Sequence, residues 1–339
     1  MEPVTHALTS LVLARATQNR LPRFGTAILI VSGVAADLDY LSYFGGAEAF
    51  LRFHRAVLHS LLGSGLMVSA VAAVFYFMGR RPPARGSGSS LPFIAAFVCA
   101  SLGAAWHLLL DFASGEAVQL FWPFRVDSSA WNFTTNIDPW ILMLLAAGLL
   151  LPGLFRLVSD EIGERKTANG GRREAVITLF LLLAYVGTRG FLHHSAVDLL
   201  LSREYHGRAP VFAGAFPRSL SPLDWRCVVF TDSTIEEVNV SLAAASNFDP
   251  DRGITHFKPD ESPALDRGET TPVAKRFLNY ARFPLASVYP LENGSRFELH
   301  DLQFSSGDTN LANIFVRVDF DANTHIKSAE YRFTASRQR

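Results

Sequence analysis

The stretch Leu91–Ala113 reads LPFIAAFVCASLGAAWHLLLDFA. Its length and apolar character match a bilayer span, because about 20 apolar residues rising ~1.5 Å each cross a hydrocarbon core. Yet its last turns carry His107 and Asp111, an i,i+4 pair that shares one helix face. Ionisable groups at membrane depth are costly, so they face polar cavities, pair with one another and mark function. An apolar run ending in an imidazole and a carboxylate predicts a helical membrane protein with a polar site at one end of its bundle.

Working outward, three further runs have the same length: Val57–Gly79, Ile137–Val158 and Ala175–Leu192. A fifth, Phe24–Phe44, is apolar through FGTAILIVSGVAA and then turns acidic at Asp37 and Asp39. Val4–Ala16 is too short to cross unaided and reads as a short bundle helix. Residues 1–200 are thus predicted to form an α-helical polytopic membrane bundle of five to six helices. Beyond Tyr205 the pattern changes to short alternating stretches, RCVVFT, EEVNVSLA, FPLASVYPL, SRFELHDLQF, NIFVRVDFD and IKSAEYRFTA. Period-two alternation between turn-forming segments predicts a small, mostly antiparallel β domain over residues 205–339. Asn247–Arg276, rich in Asp, Pro, Gly and Thr, reads as a long loop.

Charge and cysteine usage narrow the function. Lys plus Arg and Asp plus Glu both number 31, and there is no polybasic tail, so a nucleic-acid partner is not expected. Cys99 and Cys227 lie in different halves without CxxC spacing, so neither a disulfide nor a thiolate metal site is expected. The start, MEPVTHALTSLVLARA, is acidic and has no small-residue cleavage pattern, so it reads as retained. Arginines and lysines in short loops set orientation. They fall at Arg15, Arg20 and Arg23, at Arg80, Arg81 and Arg85, and at Arg156, Arg165, Lys166, Arg172 and Arg173. With those connections cytoplasmic, Asp37, Asp39, His54, His59, His107 and Asp111 all fall at the extracytoplasmic end, together with everything after the last span.

Within that group, Asp37 and Asp39 are two apart and cannot share a regular helix face. Either the helix ends there, or one coordinates a metal while the other orients a ligand histidine. In FHRAVLHS, His54 and His59 lie five apart, with Arg55 between them as an anion clamp whose guanidinium matches phosphate oxygens. Its bland counterpart is an interfacial arginine on lipid headgroups. Ser60 reads as an orienting hydroxyl, since no nucleophile motif surrounds it. Several imidazoles with carboxylates suit Zn2+, with Mn2+ or Fe2+ as alternatives and one or two ions accommodated by the ligand surplus. His193 and His194 read as interfacial residues, and His206, His256, His300 and His325 as surface or loop residues.

Five stretches, MEPVTHALTSLVLARA, ADLDY, HRAVLHSLLG, HLLLDFASGEAVQLFWPF and NIDPW, together resemble the YdjM/YbcI-type family of bacterial inner-membrane proteins described as metal-dependent hydrolases. The similarity spans roughly residues 1–200. That family is in turn considered distantly similar to zinc-dependent phospholipase C and P1-type nucleases, which cleave phosphoesters. The resemblance implies that His6, Asp37, His54, His59, His107 and Asp111 are metal ligands, with Asp39 a ligand or a supporting group. The chain departs from the common pattern at Ala36, where a proline often stands, and at Ala56-Val57-Leu58-His59, where Gly-x-Thr-His is usual. The resemblance further implies a membrane-bound hydrolase acting on a phosphoester in a lipid or envelope-associated substrate; Asp39, and Arg55 by its guanidinium chemistry, are the residues expected in catalytic roles. The competing expectation is a non-catalytic scaffold or partner-binding protein stapled by a structural metal.

Overall fold

The computed structural model of the protein describes residues 1–80, 90–162, 171–304 and 314–333. Arg81, Arg85, Arg165 and Lys166, which enter the orientation argument, and the end of the last alternating stretch lie outside the described residues. Among the described residues, four segments are long and apolar enough to cross a membrane: Gly25–Phe53, Leu61–Gly79, Phe93–Ala113 and Arg172–Leu201, with a shorter apolar helix at Pro139–Leu154. The chain divides into two units.

The first unit comprises Met1–Asp39, Arg55–Trp122 and Thr134–Arg189. Helix α1 (Pro3–Thr17) starts where the Glu2 carboxylate accepts a hydrogen bond from Thr5 N at 2.9 Å, satisfying an amide that has no intrahelical partner. Helix α2 (Gly25–Val34) passes into tighter 3-10 turns over Ala35–Gly45, so the predicted Phe24–Phe44 helix changes character at its acidic end. Helix α4 runs Leu61–Gly79 rather than from Val57. Ser60 is its cap, accepting from Gly63 N at 3.0 Å and donating to Val57 O at 2.8 Å. Helix α5 is Phe93–Ala113, α6 is Pro139–Ile162 and α7 is Arg172–Leu201. Ile28, Leu29, Val68, Ala72 and Ala100 form one core, and Val12, Leu110, Ile141, Leu145 and Leu182 another. The outer faces are themselves apolar: Leu66 is 67 % exposed, Ile94 67 % and Phe180 69 %. Apolar inside and out is the signature of a helix solvated by lipid.

The second unit comprises Tyr40–His54, Pro123–Phe133 and Gly190–Arg339. It holds two four-stranded antiparallel sheets, each a meander. The first is β1 (Phe212–Pro217), β2 (Asp224–Phe230), β3 (Thr234–Ser241) and β4 (Ile254–Phe257). The second is β5 (Pro284–Leu291), β6 (Gly294–Asp301), β7 (Ile314–Phe320) and β8 (Ile326–Phe333). Phe283, Phe216, Val228, Ile235 and Leu302 pack together, tying the sheets to each other. Helix α3 (Gly46–Phe53) buries Ala47, Phe50 and Leu51 against the second sheet.

Two features differ from the sequence reading. Strands β1 and β4 were not among the alternating stretches, and the Asn247–Arg276 segment is not a loop throughout. It contributes β4, all of α8 (Pro263–Thr270) and the start of α9 (Pro272–Tyr280). Each helix begins at a hydroxyl cap followed by proline: Ser262 Oγ accepts from Leu265 N at 3.2 Å, and Thr271 Oγ1 from Ala274 N at 3.3 Å. Proline at the first helical position forfeits no hydrogen bond, so residues that look loop-forming in bulk here start helices. Both cysteines are buried and free.

Candidate metal centre

The i,i+4 geometry of α5 places His107 and Asp111 on its inward face, 1 % and 0 % exposed. What they face depends on two glycines. A Cβ on Gly103 would stand 2.7 Å from Leu29 O, and one on Gly33 2.1 Å from Ser10 Oγ. The missing side chain at Gly33 lets α2 approach α1, and that at Gly103 lets α5 approach the α2 backbone closely, as small residues do at helix crossings. That approach brings Gly33 O within 2.8 Å of His107 Nδ1. Nδ1 therefore carries the proton donated to this carbonyl, leaving a lone pair on Nε2.

His59, just before α4, has its Nδ1 3.0 Å from Asp39 Oδ2, an ion-pair distance without hydrogen-bond alignment. Around the two Nε2 atoms the distances close up. His59 Nε2 and His107 Nε2 are 3.1 Å apart. Asp111 Oδ2 is 3.0 Å from the first and 3.1 Å from the second, without hydrogen-bond alignment to either. His6 Nε2 from α1 approaches Asp111 Oδ1 at 3.2 Å, and its ring stacks on His107 at 3.8 Å.

Such packing of lone pairs is unfavourable unless a proton or cation stands between them. Tetrahedral Zn2+, with bonds of about 2.0–2.1 Å, places its ligand atoms roughly 3.3 Å apart. His59 Nε2, His107 Nε2 and Asp111 Oδ2, 3.0–3.1 Å apart, are close to that spacing, and His6 approaches the other oxygen of the same carboxylate. Two overlapping groups have ligand atoms close enough to share an ion, His6 with His107 and Asp111, and Asp37 with His59 and His107. Asp37 is buried with both carboxylate oxygens lacking a hydrogen-bond partner, 4.0 Å at its nearest from His107 Nε2. An orphaned buried carboxylate is costly, and a shared cation offsets that cost. The residues fit a divalent metal.

The remaining predicted residues take up supporting or separate positions. Arg55 is 3 % exposed and adopts a left-handed backbone, φ 53°, a strained conformation for a non-glycine residue. In it the Arg55 amide donates to Asp39 Oδ2 at 2.6 Å, while the guanidinium contacts Asp111 Oδ1 at 2.9 Å and Glu116 Oε2 at 2.6 Å. Arg55 NH2 also donates to Met1 O at 3.2 Å, and the Met1 nitrogen contacts Asp111 Oδ1. His54 belongs to the second unit, where its ring stacks on Phe50 at 4.2 Å and lies 4.6 Å from Tyr40. Glu116 is the residue that sequence reasoning passed over. It lies five residues after Asp111, and its only signal was a carboxylate within an otherwise apolar stretch, ASGEAVQLF.

Among the histidines read as peripheral, His256 contacts Glu237 at 2.8 Å, His300 stacks on Phe315 and His325 contacts Asp321 at 3.2 Å. His193 lies 5.6 Å from both the His194 ring and the Trp225 ring. None of these joins a metal-ligating group among the described residues.

No curated protein and no solved structure matches the chain. The model of one family, described as YdjM inner membrane protein, matches residues 1–196, the stretch that contains α1 to α6, most of α7 and every residue of the cluster. That match covers more than half of the 339 residues, and the chain belongs to the YdjM inner membrane protein family.

Proposed function

We propose that the protein is a membrane-bound, metal-dependent hydrolase that cleaves a phosphoester in a lipid or envelope-associated substrate. The observation that carries this reading is the convergence of His6, His59 and His107 Nε2 on the Asp111 carboxylate, with Gly33 O fixing the His107 tautomer and Asp39 beside His59 Nδ1. His6, His59, His107 and Asp111 would hold the first ion, for which the donor set favours Zn2+. Asp37 offers a carboxylate to a second, with Mn2+ or Fe2+ as alternatives where carboxylates predominate. A bound divalent ion supplies Lewis acidity and activates water at neutral pH. Asp39 keeps His59 oriented. Arg55, held between Asp111 and Glu116, balances the charge of the carboxylates, and it clamps a substrate anion only if that anion displaces Glu116. The phosphoester preference rests on the family resemblance.

Orientation follows from Arg15, Arg20, Arg23, Arg80, Arg172 and Arg173, which flank the apolar helices on connections assigned to the cytoplasm. The metal centre and residues 205–339 then lie on the extracytoplasmic side of an inner membrane. A second reading is favoured by the number of donors: His6, His59, His107 and Asp111 would supply four protein ligands, as in structural zinc sites that leave no open position. In that case the metal staples α1, α5 and the start of α4.

Metal analysis of detergent-purified protein beside a His107→Ala variant, followed by a phosphodiester and phospholipid hydrolysis panel, separates the readings. The hydrolase predicts bound metal and turnover in the parent, both lost in the variant. Metal retained without turnover on any substrate favours the structural staple, and a parent protein that purifies without metal and cannot be loaded sinks both.

A further inference from the structure

The second unit contains an open cleft of about 540 Å³ between residues 124–128, in the α5–α6 connection, and residues 278–282, the last turn of α9 and the two residues after it. Both segments belong to that unit. Its most distinctive feature is Arg282. The side chain is half-buried, and NH1 donates to Asn132 Oδ1 at 2.9 Å, a neutral acceptor. The nearby carboxylate, Asp301, is committed elsewhere. It accepts from the backbone amides of Arg282, Phe283 and Gln303 at 3.0, 3.2 and 2.9 Å. Burial holds the Arg282 guanidinium below its ordinary pKa and pushes the Asp301 carboxyl up, the signs of two groups that do not fully compensate each other.

A second guanidinium, Arg125, lines the same cleft. It is paired with Asp127 at 3.0 and 3.3 Å, but both side chains are more than half exposed, and an exposed pair of this kind exchanges readily for a better anion. Ser128 adds a hydroxyl that is shielded and has no hydrogen-bond partner. Phe124, 85 % exposed, and Tyr280 supply an apolar rim.

We propose that this cleft is a binding site for a phosphate mono- or diester anion, gripped by Arg282 and Arg125 with Asp127 as the internal competitor that the ligand displaces. Planar guanidinium groups match phosphate oxygens two at a time. Such an anion is presented either by the headgroup of an acidic phospholipid, for which the exposed Phe124 is an adjacent anchor, or by a soluble phosphate. The inference is independent of the metal centre and extends beyond it.

The test uses the full-length protein in nanodiscs with a metal chelator present throughout, so that any phosphate bound by a metal is removed from the measurement. Inorganic phosphate is titrated by 31P NMR in phosphatidylcholine nanodiscs. In a second arm, retention of phosphatidylglycerol from a mixed phosphatidylcholine/phosphatidylglycerol bilayer is read by native mass spectrometry. Saturable binding in either arm is expected and identifies the source. It should weaken at least tenfold in Arg282→Gln and severalfold in Arg125→Gln. Asp127→Asn, an exposed substitution that leaves the fold intact, should tighten it severalfold. Absence of saturable binding in both arms overturns the proposal. So does binding that neither Arg125→Gln nor Asp127→Asn changes, even if Arg282→Gln fails to fold.

Discussion

The candidate metal centre owes its geometry to a few atoms that are not themselves candidate ligands. Gly33 O accepts the Nδ1 proton of His107, and Asp39 Oδ2 lies 3.0 Å from His59 Nδ1, with both Nε2 atoms toward Asp111. Partners of this kind alter metal affinity about 10–100-fold. Asp39→Asn is accordingly expected to retain metal but lose about one to two orders of magnitude in affinity, measured by competition with a graded set of chelators. His107→Ala should abolish binding. Equal affinity in Asp39→Asn and the parent would show that Asp39 does not orient His59. Arg55 belongs to the same support: from one strained backbone position its amide serves Asp39 and its side chain serves Asp111 and Glu116.

At the scale of elements, the decisive contact is the crossing of α2 and α5. Gly103 leaves no room for a side chain, because Leu29 O would be 2.7 Å from its Cβ and backbone cannot rotate away. Overpacking at such a position costs about 1–3 kcal/mol or more. It would also pull Gly33 O from His107. Gly103→Leu should therefore lower both thermal stability and metal content, whereas Gly65→Leu, at a helical glycine with open space around its Cβ, should change neither. Unchanged metal content in Gly103→Leu would mean that the crossing does not set the site. The tighter turns at Ala35–Gly45 serve the same end, since leaving regular helix lets Asp37 and Asp39, two apart, both be buried.

For the whole molecule, the arrangement is an apolar helical unit followed by a unit dominated by two antiparallel sheets. Exposed Leu66, Ile94 and Phe180 demand an apolar solvent, which the inner membrane supplies. The loop arginines predict that residues 205–339 are cut by protease added to spheroplasts and protected in inverted membrane vesicles. The opposite pattern would reverse the topology and place the metal centre on the cytoplasmic side.

Four candidate spans were legible in sequence because about 20 apolar residues in a row have few alternative fates, whereas the predicted Ile137–Val158 span corresponds to a shorter apolar stretch, Pro139–Leu154, among the described residues. Six of the eight described strands were legible from their alternation. Strand β1, FAGAFP, combines glycine, alanine and proline and becomes a strand through its pairing with β2. Strand β4 has only four residues, Ile254–Phe257, too few for a period to appear. Helices α8 and α9 were hidden by reading composition instead of the Ser262-Pro263 and Thr271-Pro272 caps.

What the sequence by itself determined is the kind of protein: which segments are apolar, which histidines and aspartates interrupt them, and to which family they belong. Only the tertiary structure decided which of those groups meet. It drew His6, Asp37, His59, His107 and Asp111 together, set Asp39, Arg55 and Glu116 behind them, and gave His54 to the second unit. The physical reason is that helical spacing relates only residues within a turn or two, whereas the candidate ligands from α1, the turns after α2, α5 and the residue before the α4 cap converge through helix crossings. Those crossings depend on the close approach that Gly33 and Gly103 permit.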